Sequence, residues 1–205
     1  MSALPELKVT VFSDYICPFC YIGHHRLMHL KKHYNLKINW CFLEIHPETP
    51  EQGEPVSSLD YPSQTWQKMM TKLKAISKKE QIALAELNFI FNSKNALLLS
   101  EAAKQAGKAC FYALHNALFK AYFVETKNIA NKKLLHTLAT DCGITEEIIE
   151  AAWTDPTYAL RLQNNYHAAR EHAIESVPSF IFGNKVLTGA VTETVMRDAA
   201  ESIAN

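Results

Sequence analysis

The sequence predicts an α/β fold in which the two ends of the chain build a small mixed sheet and the middle forms a block of helices. Three observations carry this. Short β-branched and aromatic runs stand at residues 8–13, 37–43 and 177–188, near the two ends, which is strand composition. From residue 63 to about 173 the apolar residues recur at helical spacing with few breaks. The link between the first two strand-like runs is one helix-compatible segment, so they form a β-α-β unit with parallel strands and a right-handed crossover. The expected domains are 1–62 together with 174–205, and an inserted all-helical domain over 63–173.

The elements follow in order. Residues 8–13 read as a buried strand ending at Ser13-Asp14, and residues 17–34 as a helix with Phe19, Gly23, Leu27, Leu30 and Tyr34 on one face. Residues 37–43 read as the second strand. Pro47, Pro50, Gly53, Pro55 and Pro62 break residues 46–62 into an irregular connection. Ser63 is placed to cap a helix carrying Trp66, Met69, Met70, Leu73 and Ile76. Residues 81–92 are apolar and fit neither period. A helix from Asn95 stops at Gly107, a suitable C-terminal glycine. The next carries Phe111, Leu114, Leu118 and Tyr122. Asn131, Thr145 and Asp155-Pro156 each open a further helix. At the end, Val177–Phe182 and Lys185–Thr188 flank the tight turn Gly183-Asn184. Thr192 caps a final helix.

Composition excludes several functions. Of 205 residues 48% are hydrophobic and 20% charged, enough for a substantial core, and 21 basic residues balance 21 acidic ones. A net charge of zero offers no footprint for nucleic acid or an anionic membrane. No apolar run approaches the ~18 residues of a membrane span. The first residues lack a basic and then apolar leader, so the reducing cytoplasm is the expected compartment. Five scattered cysteines do not form a disulfide framework. Cys41, Cys110 and Cys142 are expected to be small buried hydrophobes.

The other two cysteines carry the chemistry. Cys17-Pro18-Phe19-Cys20 lies where the first strand turns into the first helix, the redox setting of a C-x-x-C pair. Unpaired backbone N–H groups and the positive end of the helix dipole favour thiolate over thiol there. Pro18 sits just inside the helix, where its missing N–H leaves nothing unsatisfied. Cys20 is one turn on, within reach of a small disulfide ring with Cys17. The expected reaction is thiol–disulfide exchange, with Cys17 attacking and Cys20 resolving. A zinc site would need a second ligand pair, and no other C-x-x-C exists. His25, His29 and His33 share a helical face away from the apolar stripe and are expected to face solvent, so no metal and no cofactor are expected. Asp14 has two readings, a proton relay for Cys20 and a loop or capping carboxylate, of which the second is preferred. The Trp66/Met69/Met70 stripe is read as core rather than as a substrate groove.

The chain resembles the DsbA family of the thioredoxin superfamily, and within it the FrnE-like branch that groups with 2-hydroxychromene-2-carboxylate isomerases. The resemblance rests on Val11-Phe12-Ser13-Asp14-Tyr15-Ile16-Cys17-Pro18-Phe19-Cys20-Tyr21-Ile22-Gly23 and on Val177-Pro178-Ser179-Phe180-Ile181 with Gly189-Ala190. Asn92-Ser93 with Ala96, the run from Ala117 to Phe123, and Asn128-Ile129 support it. Glu175-Ser176 and Leu97 depart from the family pattern, which often has glycine two residues before Val-Pro and histidine after the alanine. The resemblance implies a thioredoxin-like fold with a large helical insertion, and a cis Pro178 beside Cys17 that leaves the Val177 backbone open to an extended substrate. Pro18 and Phe19 tune the redox balance and, with Val177 and Pro178, are the expected substrate-binding residues. Partners would be protein or small-molecule thiols and disulfides, with glutathione a candidate. Direction of exchange and the choice of monomer or homodimer stay open. Two alternatives are kept: a glutathione-dependent isomerase or transferase of the kappa type, whose members usually place serine where Cys17 stands, and a non-catalytic holdase.

Overall fold

A computed structural model describes residues 4–59 and 63–204. The break read at Pro62 and the side-chain cap read at Ser63 lie outside what it describes. The principal sheet has four strands: β1 (Glu6–Ser13), β2 (Asn35–Phe42), β5 (Ser179–Phe182) and β6 (Lys185–Thr188), in the order β2-β1-β5-β6. β1 and β2 are parallel, with Val9 opposite Ile38, and β5 runs antiparallel to β1 and to β6. Both long strands begin two residues earlier than their composition suggests. Glu6 and Asn35 pair at the sheet's solvent end, where polar residues are tolerated on an exposed pleat.

The crossover is α1 (Pro18–His29), which tightens into a 3-10 turn at Leu30–Lys32 and so ends earlier than the apolar spacing indicates. The middle of the chain holds α2 (Ser63–Glu80), α3 (Lys94–Ala103), α4 (Lys108–Phe123), α5 (Lys132–Asp141), α6 (Glu146–Thr154) and α7 (Pro156–Glu171), and α8 (Glu193–Ala204) closes it. Asn131 caps α5 by accepting the Lys133 and Leu134 N–H groups, and Asp155 caps α7 through Thr157. Thr145 makes no such side-chain bond. Glu146 and Glu147 in the first turn of α6 supply the negative charge that its dipole favours instead.

Residues 46–59 and 81–92, which showed no period, each give two residues to a small antiparallel ribbon, β3 (Glu54–Pro55) with β4 (Phe89–Ile90). Two residues are too few to show alternation. One continuous core runs from Leu7, Val9 and Val11 on β1 through Leu27 on α1 to Leu99 on α3 and Leu118 on α4. The division at residues 63 and 173 is thus one of chain order, with a shared interior. On the other face of the sheet, Phe12, Cys41 and Ile181 pack against Ala169 of α7, so β1 changes from alternating burial to burial on both faces toward its end. No helix among the described residues is long and apolar enough to cross a membrane.

Candidate active site

The site begins where β1 ends. Asp14 is fully buried, and its carboxylate accepts the Ile45 N–H at 2.9 Å, the Ser93 hydroxyl at 3.0 Å and the Ile16 N–H at 3.4 Å. These bonds tie the β1–α1 turn to the segment after β2 and to the start of α3. Burial raises the Asp14 carboxyl to about 6, against the pull of those donors. This is the work of a loop-clamping carboxylate.

Cys17 follows as the N-cap of α1, with extended backbone and no capping side chain, and Pro18 begins the helix. The Cys17 Sγ lies 3.7 Å from the Val177 carbonyl oxygen. The Val177–Pro178 peptide is cis. Cys20 is one turn on, its N–H bonded to the Cys17 carbonyl at 3.0 Å. Both thiols are free. Burial pushes the Cys20 thiol well up, the adjacent Cys17 sulfur adds to this, and the Asp14 backbone N–H and Ser13 hydroxyl pull the other way. Asp14 thus meets Cys20 through its backbone.

Gly23 explains how closely α1 approaches β5. A Cβ there would stand 2.7 Å from the Phe180 ring and 3.4 Å from Pro178. Only a residue without a side chain lets the helix settle onto that strand and bring Cys17 up to Val177.

In front of Cys17 opens a cleft of about 1100 Å³. Pro18 and Phe19, both half-buried, form one edge, and Val177 with Glu175 and Ser176 another. Pro178 is buried beneath. The facing wall is α2. Trp66, Met69 and Met70, expected in the core, are half-buried and line this cleft, and of the described apolar residues of α2 only Leu73 is buried. The stripe required an apolar neighbour, which here is the cleft in place of a second helix.

Tyr122 of α4, read as part of a core stripe and of the run that supports the resemblance, is buried yet forms part of the cleft floor. Burial pushes its hydroxyl up, with the Asp14 and Cys17 charges adding to the effect. Ile16, Ile45 and Ile90 complete the floor. Ile45 and Ile90 carry no signal in the sequence beyond apolarity, while Ile16 and Tyr122 lie in stretches on which the family resemblance rests.

The remaining candidates lie elsewhere. His29 and His33 are exposed, His29 bonded to Glu193 at 2.8 Å, while His25 is half-buried against the Tyr21 ring. Cys41 is buried. Cys110 and Cys142 are only half-buried, at the start of α4 and the end of α5, so for these two the expectation of full burial is corrected. Cys142 caps the C-terminus of α5, both pack against the edge of the core, and the Cys110 Sγ lies 3.7 Å from the Gly143 carbonyl. Among the described residues no group of three or more His, Cys, Asp or Glu is arranged to hold a metal ion.

Comparison with known proteins agrees with this fold. The chain is 30% identical over 201 residues to the uncharacterized protein YwbO of Bacillus subtilis, covering 94% of this chain and 95% of that one. A probable DsbA oxidoreductase from Streptomyces coelicolor superposes with a TM-score of 0.83 at 21% identity, over 96% of this chain and 89% of that one. A 2-hydroxychromene-2-carboxylate isomerase gives 0.76 at 18% identity, over 97% and 96%. The cytosolic disulfide reductase DsbM from Pseudomonas aeruginosa, solved with glutathione, gives 0.70 at 15%, over 97% and 98%. Residues 8–201 match the DSBA-like thioredoxin domain, and the chain belongs to that family.

Proposed function

We propose that this protein is a thiol–disulfide oxidoreductase working through Cys17 and Cys20. The observation that carries the reading is the position of Cys17, at the uncapped start of α1, at the edge of an apolar cleft and 3.7 Å from the Val177 carbonyl. A cysteine at the start of a helix, one turn from a second cysteine, is the setting of a redox-active pair.

In the reducing direction the Cys17 thiolate attacks one sulfur of a substrate disulfide. The substrate S–S bond breaks, the departing sulfur takes a proton, and Cys17 is left in a mixed disulfide. Cys20 then loses its proton and attacks Cys17 Sγ, releasing the second substrate sulfur as a thiol. The substrate gains two electrons and two protons, and Cys17 and Cys20 are joined. The Ser13 hydroxyl and Asp14 N–H stabilise the Cys20 anion during the second step, which burial otherwise opposes. Val177 presents main chain to an extended substrate, Pro18 and Phe19 form the lip, and residues 63–173 supply the far wall. A low-molecular-weight thiol returns the pair to the dithiol. Glutathione is the first to test, given the fold shared with a cytosolic disulfide reductase solved with it.

The isomerase neighbour shares the fold, but an enzyme that activates a bound thiol has no use for two thiols of its own at the helix start. Replacing Cys17 by serine separates the readings. Insulin reduction and oxidative refolding of a reduced protein should both fall to background in Cys17→Ser. Activity surviving that change would point to isomerase or holdase chemistry instead.

A further inference from the structure

We infer that Arg26 is a positioning residue that fixes the width of the cleft and so selects substrates by size. The inference rests on the exchange reading above. Arg26 lies on α1, six residues beyond Cys20, with only 5% of its side chain exposed. Its guanidinium spans three parts of the molecule. Nε donates to Glu80 Oε2 at 2.9 Å and Nη2 donates to Oε1, a two-pronged pair with the last residue of α2. Nη1 donates to the carbonyls of Ala190 and Val191. That segment adjoins Gly189, whose N–H donates to the Pro178 carbonyl at 2.7 Å. One cation therefore joins the helix that bears the cysteines, the helix that forms the opposite wall, and the turn bonded to the Val177–Pro178 edge.

The wall depends on this joint. α2 buries only Leu73 among its described apolar side chains, and the left-handed residue Gln81 (φ 56°) turns the chain away immediately after Glu80. Ser77 Oγ donates to the Ile82 carbonyl and the Tyr21 hydroxyl to the Ala83 carbonyl near the same joint, and Lys74 Nζ lies 3.9 Å from Glu86. Trp66 is 14 residues from Glu80, roughly 21 Å along the helix. A tilt of about 10° at the joint would carry Trp66 some ~3–4 Å across the cleft. A planar guanidinium making fork-like bonds holds direction as well as distance, which a lysine cannot do.

A disulfide small enough to touch only Cys17 and the Val177 edge does not need the wall. A protein disulfide that reaches Trp66, Met69 and Met70 does. The test uses Glu80→Gln, at the half-exposed partner, and Arg26→Lys, which keeps the cation but removes the fork. KM and kcat are measured for insulin and for bis(2-hydroxyethyl) disulfide, together with the iodoacetamide reaction rate of Cys17. The expected result for both variants is a rise in insulin KM of about fivefold or more, with kcat, the small-disulfide parameters and the Cys17 rate within about twofold of wild type. Equal changes for both disulfides, or no change for either, would overturn the inference. Wild-type protein that reduces neither disulfide would instead refute the exchange reading on which it stands.

Discussion

α1 presents one face to α4 and another to α2, and the two are built differently. Toward α4 the contact is sealed. The Phe119 ring lies 5.0 Å from Tyr15, 5.6 Å from Tyr21, 5.4 Å from His24 and 5.0 Å from His115, and is 1% exposed. Toward α2 the side chains of Phe19, Trp66, Met69 and Met70 stop at an open cleft. Both α2 and α4 carry apolar stripes, α2 on an otherwise polar helix and α4 on a largely apolar one. The difference lies in what meets the stripe: an interlocked aromatic partner in one case, an open cleft in the other. The sealed face holds α1 in place so that the open face can present Cys17.

The largest expected effect comes from acid on the sealed face. His24 and His115 are buried there, their rings 4.8 Å apart. His115 Nδ1 meets the Tyr15 hydroxyl at 2.7 Å and His24 Nε2 meets Asn116 at 2.9 Å, while His24 Nδ1 and His115 Nε2 have no partner. Burial lowers His24 to about 3, aided by His25 and Lys31, and lowers His115 well below 6.5, aided by His24, Lys31 and Lys104. An unfolded histidine protonates near 6.5, so the folded state keeps its full advantage above that pH and loses it as pH falls toward 3. For His24 alone the full loss is on the order of 5 kcal/mol. Asp14 acts in the opposite sense. Its carboxyl rises from 3.8 to about 6, so its contribution is fully present below 3.8 and is lost as pH rises through 6. Urea unfolding between pH 7 and pH 4 should show wild type losing stability and Asp14→Asn losing it more steeply. Parallel profiles, or a flat wild-type one, would contradict this.

Next in size is Phe119→Ala, expected to lower unfolding free energy by about 4 kcal/mol through the void it leaves in the ring cluster. Gly23→Ala follows at about 2 kcal/mol, since its methyl would press on a Phe180 ring that is itself buried. The smallest is Met69→Ala in the cleft wall, below about 1 kcal/mol, with the effect appearing instead as a higher KM for insulin. Denaturant midpoints for the three variants check the order. A Met69→Ala loss equal to that of Phe119→Ala would erase the contrast between the faces.

The parts of the fold that hydrophobic period controls were legible. The β-α-β start, the helices between residues 94 and 171 and the β-β-α end all emerge from spacing, turn residues and caps. The placement of Cys17 and Cys20 at the start of α1 was legible because it depends on one local turn. Less legible were features that depend on distant chain segments. The stripe on α2 says only that something apolar faces it, and Trp66 at the edge of a cleft has the same spacing as a core residue. His24 and Arg26 flank the His25 that the pattern singled out, yet their burial follows from Asn116, Glu80 and the carbonyls of Ala190 and Val191, which no local pattern connects to them. The β3–β4 ribbon pairs Glu54 with Ile90 and Pro55 with Phe89, 36 and 34 positions apart, too brief for any periodic signal.

Trapping the covalent intermediate tests most directly which sulfur attacks. Cys20→Ser, incubated with a disulfide-bonded substrate and quenched in acid, should accumulate a mixed disulfide whose mass and peptide map place the link at Cys17, while Cys17→Ser accumulates none. A link formed at Cys20 in the reciprocal variant, or no adduct in either, would contradict the roles assigned to the two thiols.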